Sequence, residues 1–100
     1  MKTDVIIIGA GPGGYETAHY AAIRGLSVTI FEAGELGGTC LNRGCIPTKT
    51  LCKNAEVLNH LKEAAEFGIN DVAFSIDFAK MIERKNIVVA QFREGVAMAL

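Results

Sequence analysis

Two cysteines, Cys40 and Cys45, are separated by four residues in the stretch "GGTCLNRGCIPTK", Gly37 to Lys49. Close thiols can ligate a metal, staple the chain or carry electrons. Zinc sites built from cysteine show C-x-x-C pairs and four ligands. This chain offers C-x4-C, a third cysteine at Cys52 and two distant histidines, so no metal site is expected. A staple closing so short a loop restricts the unfolded chain little, and stable disulfides are rare in reducing compartments. Redox work accounts for more of the pattern. Cys40 falls at or near the start of a helical pattern, where the helix dipole favours thiolate, and Arg43 adds positive charge. Within a regular helix, five positions rise about 7.5 Å, beyond the roughly 7 Å Cα limit for a bridge. A Cys40–Cys45 bridge therefore requires a distorted first turn. Gly44 is flexible, and Pro47 cannot donate to the Arg43 carbonyl, so the sequence can supply one. Strained bridges are more readily reduced, which suits catalysis. Lys49 follows Cys45 by four residues and shares its helical face. A cation there stabilises charge on the Cys45 sulfur or on an aromatic cofactor beside it. Cys52 reads as a buried small hydrophobe. His19 and His60 read as partly exposed helical residues without a partner.

A second constellation lies nearer the N-terminus. "GAGPGG" gives Gly9-x-Gly11-x-x-Gly14, after an apolar β-branched run and before helix-forming sequence. The first glycine permits a tight turn, the second lets the backbone approach a pyrophosphate, and the third lets helix pack on strand. The helix N-terminus then offers N–H groups and a dipole to the phosphates. Glu32, 23 residues after Gly9, ends the second β-type run. Its carboxylate suits a ribose 2′-hydroxyl and repels a 2′-phosphate, which selects FAD or NAD over NADP.

These residues need elements to place them. Asp4–Ile8 and Ser27–Glu32 read as strands, the first of them buried on both faces as in a parallel sheet. Tyr15–Arg24 reads as the helix between them, stopped by Gly25. Together they form one right-handed βαβ unit. From about Cys40 to Phe67 the pattern is helical, with Leu51, Ala55, Leu58, Leu61 and Ala65 on one face and Gly68 as the stop. Ile69–Ile76 reads as a connector with a short extended piece. Asp77 is the expected N-cap of a last helix, whose apolar face is Phe78, Met81, Ile82, Val89, Phe92, Val96 and Ala99.

Size and charge bound the rest. One hundred residues with a net charge of −1 allow one domain or part of one and leave no basic footprint for nucleic acid or anionic membranes. The apolar start is broken by Gly9, Gly11, Pro12 and Gly13, so it reads as neither a signal peptide nor a membrane helix. A cytoplasmic protein is the expectation. Two strands are too few to cover two long amphipathic helices, and the pattern runs uncapped to Leu100. The chain therefore reads as the N-terminal portion, residues 1–100, of a larger domain.

The glycine turn, Glu32 and "GGTCLNRGCIPTK" together resemble the class I pyridine nucleotide–disulfide oxidoreductases. The resemblance covers the whole chain. It implies an α/β fold, the N-terminal part of a Rossmann-like FAD-binding domain: a βαβ unit followed by two long helices. FAD would be held by Gly9, Gly11 and Gly14 at its pyrophosphate and by Glu32 at its adenosine ribose. Ala33 and Gly38 would complete these contacts, with Thr39 near phosphate and ribitol and Lys49 near flavin N5. Cys45 would be the charge-transfer thiol and Cys40 the interchange thiol that meets substrate. The motif wording is nearest the branch that oxidises dihydrolipoamide with NAD. Glutathione and mercuric reductases tend to carry valine at the positions of Leu41 and Ile46. Implied partners are dihydrolipoamide on an acyltransferase or carrier protein and a second subunit in a homodimer. The NAD-binding and dimer-interface domains would lie outside this chain, and with them the catalytic histidine, a position that neither His19 nor His60 matches. The 100-residue chain alone is expected not to oxidise dihydrolipoamide, and an inactive, self-associating fragment is the competing expectation.

Overall fold

The computed structural model describes residues 2–100. Strand β1 (Val5–Ile8) pairs in parallel with β2 (Val28–Phe31), in the register Val5 to Val28 through Ile8 to Phe31. Helix α1 (Pro12–Ala22) connects them. It begins three residues earlier than Tyr15, because Pro12 takes the first helical position, where its missing N–H costs nothing. It ends at Ala22, two residues before Arg24, and the chain leaves by hydrogen bonds from Gly25 N to Ala22 O and Leu26 N to Ala21 O. Asp4 and Ser27 stand just outside the strands, exchanging hydrogen bonds of 3.0 and 2.9 Å.

The single helix expected from Cys40 to Phe67 is three pieces. Helix α2 spans Gly38–Arg43, α3 spans Cys45–Lys62, and a 3-10 turn follows at Ala64–Phe67. The break falls at Gly44, where φ is −123° and ψ is −107°. A Cβ there would lie 3.2 Å from the Cys40 Cα, tighter than most packing contacts, so a larger residue would push the turn off Cys40 by a few tenths of an ångström. Ile69–Asp77 forms no strand. Helix α4 (Phe78–Ala99) opens with the expected cap: Lys80 N donates to Asp77 Oδ1 at 3.1 Å.

Leu41, Val89 and Val96 form the core where α2 meets α4, with Tyr15, Leu36 and Ile46 against it. Met81 and Ile82 also turn inward, but Phe78, Phe92 and Ala99 stay exposed. In α3 the inward line is Thr50, Leu51, Asn54, Leu58 and Leu61, and Ala55 is exposed. The 3-10 turn buries Ala64 in place of Ala65. The sheet is not buried on both faces: Ile8 is 88% and Ile6 62% exposed. Two strands have nothing to cover the second face. The radius of gyration, 19.8 Å, exceeds the roughly 13 Å of a compact 100-residue domain. The exposed surface is 7337 Å² against roughly 5500 Å² for a compact monomer of this mass.

Candidate active site

The two sequence constellations meet at one end of the fold. Gly9 turns sharply out of β1 with φ at +104°, and its N–H donates to the Phe31 carbonyl at 2.7 Å. At Gly14 a Cβ would run into the Gly9 carbonyl, so only glycine lets α1 start this close to the strand. The leading N–H groups of α1 have no intrahelical acceptor and face the turn.

Glu32 reaches back across that turn. Its Oε1 accepts from Ala10 N at 3.0 Å and its Oε2 from Gly34 N at 2.9 Å. These bonds, the Ala10 one first, hold its carboxyl below the ordinary glutamate range, with Ala33 N and the Arg43 charge helping. Each carboxylate oxygen keeps a further acceptor position for a ribose hydroxyl. The Arg43 charge is the smallest of these influences on the carboxyl.

The Gly37–Gly38 pair carries the chain from the turn into α2. Gly37 N donates to Ala10 O at 2.8 Å. Gly38 has φ at +80°, and a Cβ on it would lie 2.8 Å from the Gly11 Cα and 3.1 Å from Pro12 Cδ. The start of α2 is therefore stacked directly on the glycine turn. Thr39 is exposed beside it, and Ala33 is exposed next to Glu32. Gly9, Gly11, Gly14, Glu32, Ala33, Gly38 and Thr39 thus form one neighbourhood, a bare backbone cradle with an acid at its edge. That donor set fits a dinucleotide with an unmodified ribose.

Cys40 sits in the first turn of α2, and the Gly44 break makes Cys45 the first residue of α3. Both are exposed free thiols. Helix geometry is interrupted between them, which removes the rise that a continuous helix would impose. The neighbouring Cys40 side chain is the largest influence pushing the Cys45 thiol above the ordinary value of 9.0, and desolvation adds to it. Lys49, one turn along α3, pulls the other way but is outweighed. In the dithiol form, then, contact with Cys40 dominates over the helix start and the cation. Cys52 is exposed, not buried: Cys45, Lys49 and Cys52 line the open side of α3, while Thr50, Leu51 and Asn54 take the packed side.

His19 and His60 are both exposed. His19 lines an open groove of about 360 Å³ with Ala18, Val28, Ile30 and Leu36; the groove meets the candidate set only at Glu32. Sequence reasoning missed Asn42 and Arg93. Arg93 Nε and Nη2 donate to Asn42 Oδ1 at 3.0 and 2.8 Å across 51 positions. Asn42 stands inside the quoted motif, but nothing in the sequence joins it to Arg93.

A glycine turn with an acid at its edge and two nearby thiols on one α/β frame are the arrangement that a flavin-linked disulfide reductase requires. Comparison with known proteins makes that specific. The family model described as "Pyridine nucleotide-disulphide oxidoreductase" matches residues 3–99, and the chain belongs to that family. A dihydrolipoyl dehydrogenase of Chlamydia muridarum is 50% identical over 93 residues, which cover 93% of this chain and 20% of the relative. One from Bacillus subtilis is 51% identical over 92 residues, 90% of this chain and 20% of that protein. Among solved structures, the copper(II) complex of the HOCl-induced flavoprotein disulfide reductase RclA from Escherichia coli superposes with a TM-score of 0.74. It is 35% identical, covering 97% of this chain and 19% of that one. The chain spans about a fifth of the length of these relatives. Its fold is the N-terminal, Rossmann-like FAD-binding part of a flavoprotein oxidoreductase. Among the described residues, no helix is long and apolar enough to cross a membrane.

Proposed function

We propose that the protein is the FAD- and thiol-bearing portion of a dihydrolipoyl dehydrogenase. The observation that carries this is the Gly44 break, which sets Cys45 at the head of α3 directly after the short helix that bears Cys40, with Lys49 one turn on. Several relatives about half identical to the chain bear that name.

The chemistry follows from the order of the groups. In the oxidised protein Cys40 and Cys45 form a disulfide. A substrate thiolate attacks Cys40, the S–S bond breaks, and Cys45 leaves as thiolate beside Lys49. The second substrate thiol attacks its own sulfur in the mixed disulfide and releases Cys40. Lipoamide disulfide departs, and its two electrons and two protons have passed to the thiol pair or to solvent. Bound FAD would supply the acceptor for that electron pair, with NAD as the final oxidant. Gly9, Gly11, Gly14, Gly38 and Thr39 would hold its pyrophosphate and ribitol region, Glu32 and Ala33 its adenosine ribose, and Lys49 its flavin edge. The NAD-binding and dimer-interface domains belong to the rest of the polypeptide. The substrate dithiol arrives on an acyltransferase or carrier protein, and the working unit is a cytoplasmic homodimer.

The test is a substrate panel on the full-length protein: dihydrolipoamide with NAD, glutathione disulfide with a reduced nicotinamide, and mercuric ion. Turnover of dihydrolipoamide that disappears in Cys40→Ser and in Cys45→Ser is expected. Turnover of glutathione or mercuric ion with none of dihydrolipoamide would refute the substrate assignment.

A further inference from the structure

Asn42 lies between the two cysteines and has no part in the thiol steps, yet its carboxamide is fully engaged. Nδ2 donates to the carbonyls of Leu36 and Gly38, each at 2.9 Å. Oδ1 accepts both Nε and Nη2 of Arg93. Two donors and two acceptor sites are all a carboxamide has, so its orientation is fixed. A forked, charged donor is the strongest partner available to that oxygen. The accompanying contact to Glu35 at 3.4 Å is exposed and adds little.

The bond matters because of what each end is tied to. Arg93 lies on α4 between Val89 and Val96, the residues against which Leu41 packs. Gly38, at the other end, is stacked on Gly11 and Pro12. Helix α3 is held to the same α4 by Arg84, whose Nη1 donates to Thr50 O and Asn54 Oδ1, both at 3.4 Å. Helix α4 is therefore the common floor for both thiol-bearing helices, and Arg93 is the polar link to the shorter one.

We propose that Arg93 is a positioning residue: acting through Asn42, it fixes α2 so that Cys40 meets Cys45 and Gly38 stays on the glycine turn. This deepens the redox assignment above and rests on it.

The test uses the full-length protein with Cys52→Ser as background, equilibrated in mixtures of reduced and oxidised glutathione. The two thiols lose two electrons and two protons to one glutathione disulfide, giving the Cys40–Cys45 bond and two glutathione thiols. Loosening α2 lowers the effective concentration of one thiol at the other. Arg93→Met is expected to reduce the equilibrium constant for bridge formation about tenfold, equivalent to about 30 mV. Asn42→Asp should match it, since its second oxygen faces the Leu36 and Gly38 carbonyls with nothing to donate. Arg93→Lys keeps one donor and should fall about threefold; it decides the matter if the methionine variant does not fold. Asp77→Ala removes the cap of α4 without touching the link or the Leu41 contact, and should lower stability while leaving the equilibrium constant unchanged. Equal constants for wild type and the Arg93 variants would overturn the proposal, as would a shift in Asp77→Ala as large as that in Arg93→Met. A wild-type protein that forms no Cys40–Cys45 bridge would instead refute the redox assignment, and this proposal with it.

Discussion

Gly38→Ala tests the junction on which the site depends. The new methyl group would be held 2.8 Å from the Gly11 Cα and 3.1 Å from Pro12 Cδ, both parts of the glycine turn and unable to swing away. The residue also keeps φ at +80°. Left-handed backbone costs an L-residue about 1–2 kcal/mol, and overpacking of this severity about 1–3 kcal/mol. A loss of about 2–5 kcal/mol follows, a large part of the 5–15 kcal/mol typical of a domain. Relief of the clash must separate α2 from the turn, so flavin retention falls together with stability. Gly13→Ala is the matched control, because a Cβ there meets nothing within 4 Å and its φ is not positive. It should be neutral, or stabilising by up to about 1 kcal/mol through helix propensity. Urea unfolding of the flavin-binding unit, followed by flavin fluorescence, measures both effects. A Gly38→Ala protein within 0.5 kcal/mol or so of wild type, with full flavin content, would show that the stacking is not what seats α2.

Further outcomes follow from the same geometry. Glu32 has a depressed carboxyl, so its stabilising contribution is fully present above the ordinary glutamate value of 4.5 and is lost as pH falls through the lower folded value. Glu32→Gln should flatten the acid limb of a pH–stability curve; an unchanged limb would remove Glu32 as its cause. Cys40→Ala removes the main influence raising the Cys45 pKa, so alkylation of Cys45 by iodoacetamide should titrate at lower pH, whereas Lys49→Met should move it higher. The reverse order of those two shifts would contradict the thiol contact. Asp77→Ala deletes the bond to Lys80 N and should cost about 1 kcal/mol in a urea titration, with no effect on the thiols.

Much of the local structure was legible because it is short-range. The β-branched runs and Asp77 act over a few positions, and the boundaries of β1, β2 and α1 shifted by three residues at most. The thiol spacing implied a distorted turn, and the Gly44 break is that turn. Pattern alone did not resolve one helix from two, because the apolar period continues across Gly44 while a single backbone angle interrupts it. Cys52 was misjudged for a related reason. Periodicity defines faces of a helix, but only the position of α4 selects which face is covered.

The sequence by itself determined which groups are available: a bare glycine turn, an acid 23 residues after its first glycine, two thiols and a cation one turn away. Each depends on residue type and on spacing along the chain. Tertiary structure alone decided how those groups meet. Gly38 rests on Gly11, Glu32 reaches back to Ala10 N, and Arg93 reaches Asn42 across 51 positions. The physical reason is that such contacts arise from how the strands and helices pack, and packing is set by shapes that no local pattern encodes.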